Sequence, residues 1–192
     1  MKIKSPIINT NNHLNEFHSA FDSLNRKLSL GFHLVDTFPN CFSFHSVNQK
    51  DANTRITYHN KLDNIYKNSL ISQNTVLIIS NTSIKNNITI SVLHICREQD
   101  IIAKTIHHTI NVIFTKAKLF AIKCSINFVT QMQDIAHIVV ITDAIPVAKH
   151  IFDTSIHPYQ LDSITISNDL RSFFNRSSSN SISFWDYSSS NK

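Results

Sequence analysis

Two hydrophobic rhythms divide the chain. In the first part, Leu14, Phe17, Phe21, Leu24 and Leu28 stand three and four residues apart. That spacing predicts one amphipathic helix, ended by Gly31 as its C-terminal cap. Residues 32–47 are aromatic-rich, contain Pro39, and read as an extended segment with a turn. Residues 48–74 are polar and read as a linker with room for one short helix.

The rhythm changes at Thr75. TVLIIS (75–80) is a continuous apolar run rich in β-branched residues, as in a strand buried on both faces. ITISVLHIC (88–96) predicts a second strand and IHHTINVIF (106–114) a third, with CREQD (96–100) as the turn between them. The period then becomes helical: Thr115 is placed as an N-cap, and Ala117, Phe120, Ala121, Cys124 and Phe128 share one face. HIVVITD (137–143) predicts a fourth strand ending in an acid. Ile145, Ala148 and Phe152 mark a short helix with Pro146 in its first turn. Residues 157–159 break the chain, Ile166, Leu170, Phe173 and Phe174 form another helical stripe, 175–180 is loop, and SISFWD (181–186) is the last strand.

The predicted order is β-β-β-α-β-α-α-β, a meander that passes into αβ alternation. A helix before the fourth strand permits a right-handed crossover, placing 137–142 parallel to 75–80. The fold class expected is α/β: a mixed five-stranded sheet over residues 75–187, flanked by helices. Residues 1–74 are expected to be a helical and extended appendage that ties the domain to something else and has no core of its own. Residues 188–192 are expected to fray.

Composition narrows the chemistry. Of 192 residues only one is Gly, so neither a Walker A loop nor a G-x-G-x-x-G turn can be built. Eleven of the 13 acids are Asp, so any carboxylate or metal chemistry falls to Asp. The net charge of +5 is compatible with nucleic acid without requiring it. Cys41, Cys96 and Cys124 are far apart and odd in number, which argues for reduced thiols. No apolar run is long enough for a membrane span, and the start has no continuous apolar stretch of the secretory type. The expected location is therefore intracellular, cytoplasmic or nuclear. None of the 11 His pairs with Cys or acids at a zinc-binding spacing.

Several stretches resemble one family, the ribonuclease H portion at the C-terminal end of fungal non-LTR retrotransposon reverse transcriptases. SNTSIKNN (80–87) is similar to its S-D-A-S-I-K-N-N, and TKAKLFAIKCSIN (115–127) to T-E-A-E-L-F-A-I-R-C-G-I-N. ITDAIPVAKHIFDTSIHPYQ (141–160) resembles I-T-D-S-I-H-A-A-K-R-I-F-D-S-S-x-H-P-Y-Q, and NSISFWD (180–186) resembles N-S-I-E-F-W-D. GFHLVDTFPNCFSFH (31–45) looks like the segment that precedes the domain.

The resemblance implies a ribonuclease H-like fold, once tethered to a polymerase. In the family, four carboxylates hold two Mg²⁺ ions that cut the RNA strand of an RNA–DNA hybrid. Carried over position by position, the first-strand Asp is Asn81, the helix Glu is Lys118, and the fourth-strand Asp is retained as Asp143. The last acid is expected beyond the fifth strand and has no counterpart here. Asn81 brings no charge, and Lys118 brings an ammonium to where a dication would sit. Repulsion between a single and a double positive charge at ~4 Å is several kcal/mol at an effective dielectric of about 20. Asn81 is expected to donate its amide to Asp143, and Lys118 to pair with the same carboxylate.

The expectation from this is a degenerate, truncated copy: a module without hydrolysis and without a cofactor, with at most weak binding to nucleic acid. The alternative is a working Mg²⁺-dependent ribonuclease H whose site is completed by a partner or by another acid, with Asp143 as a metal ligand. Asp100, Asp134 and Asp186 are the candidates, and only Asp186 falls at a suitable strand end. Taken without the resemblance, Asn81 and Thr82 read as a turn after a strand, Lys118 as a solvated helix lysine and Asp143 as a solvated acid. Trp185 reads as half-buried.

Overall fold

The computed structural model describes residues 34–46, 52–86, 88–110, 113–152 and 159–187. The 14–28 helix, residues 157–158 of the expected break and the tail at 188–192 lie outside them. The elements are α1 (Leu34–Thr37), β1 (Phe42–His45), α2 (Ala52–Ile71), β2 (Thr75–Lys85), β3 (Ile88–Arg97) and β4 (Asp100–Ile110). After these come α3 (Phe114–Thr130), β5 (His137–Thr142), α4 (Ile145–Lys149), α5 (Gln160–Arg176) and β6 (Ser181–Asp186).

The sheet has six strands in the order β1-β6-β5-β2-β3-β4. β2, β3 and β4 form the antiparallel meander. β5 lies parallel to β2 in the register Val76↔Ile138 to Ser80↔Thr142, and β6 lies parallel to β5. The meander continued by parallel αβ units is the arrangement of a ribonuclease H-like fold that the resemblance implied. Between β3 and β4, Glu98 (φ 50°) and Gln99 (φ 74°) both take positive φ, as a two-residue hairpin turn of matching twist requires.

Three expectations are corrected. The sheet has a sixth strand: β1 pairs with β6 in parallel, Phe42↔Ile182 to His45↔Trp185. The polar stretch expected to be a linker is a 20-residue helix, α2. Its inward positions, Tyr58, Leu62, Ile65 and Ser69, recur every three or four residues, but the polar residues between them hide the stripe. Finally, α3 begins at Phe114 with Ile113 as its N-cap, so Thr115 falls inside the first turn and caps nothing.

Each face of the sheet has its own cover. On one, Val76, Ile78, Leu93, Ile95, Val140, Ile182 and Phe184 bury against Leu119, Ile122 and Ile126 of α3 and Leu170 and Phe173 of α5. On the other, Leu77, Cys96, Val139, Ile141 and Trp185 bury against Tyr58, Leu62 and Ile65 of α2. The helix between β1 and β2 thus covers the face that α3 and α5 leave open. Trp185, expected to be half-buried, is 3% exposed because His45 stacks on it with ring centroids 3.9 Å apart.

Candidate functional site

β2 and β5 run parallel, so their C-terminal ends lie side by side. Ser80 pairs with Thr142, and Asp143 follows where the β5 ladder stops. The first turns of α3 lie over the same end of the sheet, where Ser91 Oγ of β3 donates to the Ala117 carbonyl at 3.5 Å. This convergence brings Lys118 Nζ to 3.0 Å from Asp143 Oδ2.

The pair is not a solvated surface contact. Lys118 is 5% exposed. The Phe114 ring, one helical turn earlier, sits 3.9 Å from its ammonium, a cation–π contact that replaces part of its hydration. Asp143 Oδ1 is buried and has no hydrogen-bond partner. The reading of Lys118 as a solvated helix lysine is therefore overturned, whereas Asp143, its side chain 23% exposed, stays in part open to solvent.

Asn81 stands apart from this pair. It belongs to β2, which continues to Lys85, so the stretch is strand and not the turn its residue types suggest. Thr82 Oγ1 meets Ser91 Oγ at 3.1 Å on the α3 face, and Ser80 is buried. Alternation along the strand therefore sends Asn81, which is exposed, to the opposite face. The expected amide bond from Asn81 to Asp143 is not formed, which is why Oδ1 is left without a donor.

The other acids separate by the end of the sheet they occupy. Asp100 opens β4 opposite Arg97, and Asp134 takes a 2.6 Å hydrogen bond from the same arginine. Both lie at the end remote from Asp143. Asp186 closes β6 opposite Thr142, one residue from Asp143 in register. The Tyr187 N–H also donates to the Thr142 carbonyl at 3.0 Å.

Beneath Lys118, the α3 face of the sheet carries buried hydroxyls where apolar residues would otherwise pack: Ser80, Thr82, Thr89, Ser91 and Thr142. Its signal in the sequence is the alternation of Ile88, Ile90 and Val92 with Thr89 and Ser91, which marks one face of β3 as polar without saying that it is covered. The belt ends toward β4 at His107, whose Nε2 is buried without a partner and whose ring meets Phe120 edge-on.

These residues do not fit a divalent metal. A hard cation needs several anionic or carbonyl oxygens. Here one carboxylate is already neutralised by an ammonium at 3.0 Å, and the neighbouring strand offers a neutral amide on the other face. Among the described residues no group of three or more His, Cys, Asp or Glu is placed to hold a metal ion. The cysteines are free thiols. No helix among the described residues is long and apolar enough to cross a membrane.

No family model matches the sequence, and no curated protein matches it either. Among solved structures, the chain is similar to the N-terminal ribonuclease H domain of a Mycobacterium tuberculosis protein, solved as a fusion with maltose-binding protein. The identity is 13% and the TM-score 0.47, over 58% of this chain and 86% of that one. It is also similar to the ribonuclease H1 of Halobacterium salinarum, at 12% identity and a TM-score of 0.38, over 58% and 83% of the two chains. A third similarity is to a foamy viral protease-reverse transcriptase in complex with an RNA/DNA hybrid, at 9% identity and a TM-score of 0.43. It spans 61% of this chain and 18% of that one.

Proposed function

We propose that this chain is a retroelement-derived ribonuclease H-like module that does not hydrolyse its substrate and binds nucleic acid, an RNA–DNA hybrid in the first place, weakly. Support for the class comes from the strand order and from the motifs at 80–87, 115–127, 141–160 and 180–186. The observation that carries the loss of hydrolysis is the ion pair between Lys118 and Asp143. It sits where the resemblance places two acids around metal ions, and it leaves that position without net charge. Asn81 adds none.

A positively charged chain with a vestigial site is expected to hold a hybrid through phosphate contacts, with an affinity that falls steeply as salt rises. The test is a pair of measurements on the full chain. Incubation with a labelled RNA–DNA hybrid and Mg²⁺ should give no cleavage above the protein-free blank. Binding by fluorescence anisotropy should be weak and salt-dependent. Cleavage that disappears in Asp143→Asn would establish the active enzyme instead, with Asp186 as the acid to examine next.

A further inference from the structure

We infer that the ammonium of Lys118 is the resident cation of this site: it neutralises Asp143 and fastens the start of α3 to the end of β5, the task a bound divalent ion would perform. The inference takes from the functional reading only the idea that a cation once belonged here. The fastening itself rests on geometry.

Three observations converge on it. Asp143 projects from the point where β5 stops, so nothing in the sheet ladder holds its side chain. Its Oδ1 is buried without a hydrogen bond, and burying a carboxylate is costly unless a counter-charge is close. The Lys118 ammonium at 3.0 Å is that counter-charge. On the helix side the pairing is needed just as much. α3 has no acidic residue in its first turn and no side-chain cap, while Lys116 and Lys118 both lie near its N-terminus. That end carries a partial positive charge, so an ammonium there is unfavourable unless an anion is brought to it. Asp143 supplies the anion from a different element. The pair thus joins two segments far apart in sequence, which a metal shared between a helix and a strand end also does.

The experiment is thermal unfolding of the full-length chain in chelator and in millimolar Mg²⁺. The wild type should melt at the same temperature in both. Lys118→Glu sets two carboxylates against each other. In chelator it should melt about 5 °C or more below wild type, and Mg²⁺ should recover much of that loss. The charge-swapped double variant, Lys118→Glu with Asp143→Lys, should regain stability without Mg²⁺. A Mg²⁺-dependent rise in the wild-type melting temperature that Asp143→Asn abolishes would overturn the inference, since a metal would then bind beside the ammonium. Lys118→Glu as stable as wild type in chelator would overturn it too. So would a loss that the swap repairs and Mg²⁺ does not, because the pair would then be a salt bridge with no cation's role. Should Lys118→Glu fail to fold, Mn²⁺ line broadening in NMR spectra decides. Broadening at residues 142–144 is expected in Lys118→Gln, whose carbonyl oxygen joins the freed Asp143 carboxylate, and not in wild type, and the reverse pattern refutes the idea. Hybrid cleavage tests the functional reading separately: cleavage by a wild type whose melting ignores Mg²⁺ would reject that reading and leave the fastening in place.

Discussion

Tyr58, on the helix between β1 and β2, grips the backbone of Asp186 at the end of the last strand. Its hydroxyl accepts the Asp186 N–H at 2.8 Å and lies 3.0 Å from the Asp186 carbonyl and 2.9 Å from that of His45. One phenol therefore ties α2 to the ends of β1 and β6, and β6 in turn hydrogen-bonds the residue before Asp143.

Removing that hydroxyl leaves a strand-end N–H without its acceptor. Tyr58→Phe should destabilise the chain by about 1–2 kcal/mol, read as a lower midpoint in urea with an unchanged slope. Burial pushes the Tyr58 phenol up to about 12 from an ordinary 10.0. Because the fold favours the protonated form, that contribution is fully present below pH 10 and is lost as the pH rises toward 12. Alkaline unfolding in this window should be blunted in Tyr58→Phe. An unchanged alkaline transition would show that the grip is not what holds α2.

His45 gives the opposite limb. Burial against Trp185, with a smaller effect from Lys61, holds its pKa below the usual 6.5. The fold favours the neutral ring, so the contribution is fully present above pH 6.5 and fades as the pH falls through the lowered value. Urea midpoints measured from pH 8 down to pH 5 should drop more for wild type than for His45→Phe, which keeps the stack on Trp185 and cannot be charged. Equal slopes in the two proteins would rule out His45 as the titrating group.

What could be read from the sequence follows from what makes each element. β2 and β5 are legible because VLII and IVVI are apolar at every position, which only a doubly covered strand tolerates. The existence of α3 is legible from its helical period, but the stripe read for it is not the buried one: Phe120 and Phe128 are exposed, and Leu119, Ile122, Ile126 and Val129 carry the packing. β1 and α2 were misread for one reason: each is stabilised by partners far away in sequence. β1 depends on Phe184 and Trp185, and α2 on a sheet face formed by residues 77–185. At the candidate site, the motifs at 115–127 and 141–160 single out Lys118 and Asp143, which the structure pairs at 3.0 Å. Their burial was not legible, because it depends on the angle at which α3 crosses the end of β5. Nor was the orientation of Asn81, which depends on β2 continuing beyond Ser80.

The membership of β1 in the sheet can be tested through its aromatic contacts. Phe44 stacks on Phe184 at 5.0 Å with an interplanar angle of 16°, and Phe42 stacks on Phe152 at 4.5 Å. Phe184 is 0% exposed, so Phe184→Ala should cost about 3–5 kcal/mol. Phe44→Ala should cost less, since its site is only partly buried. The two losses should also be less than additive, by about 0.5 kcal/mol or more, since the rings touch. Full additivity in a double-mutant cycle would place β1 away from β6.

The final prediction concerns Asn81. Its side chain is exposed and faces away from α3, so Asn81→Asp alone should change stability by no more than about 0.5 kcal/mol. It should also bring no Mg²⁺ binding, because the Lys118 ammonium still occupies the Asp143 carboxylate. The position is nevertheless one register step beyond the Ser80–Thr142 pair, at the level of Asp143. Once the ammonium is gone, a carboxylate there, although it faces away from α3, adds negative charge at that end of the sheet. Asn81→Asp combined with Lys118→Glu should therefore bind Mg²⁺ measurably by calorimetry and more tightly than Lys118→Glu alone, since a third negative charge stands near the cation. Equal affinity in the two proteins would mean that the turn of the β2 backbone, and not the lost charge alone, keeps Asn81 out of the site. Binding by Asn81→Asp alone would mean that the ammonium does not exclude the metal, and it would count against the assignment of Lys118 as the resident cation.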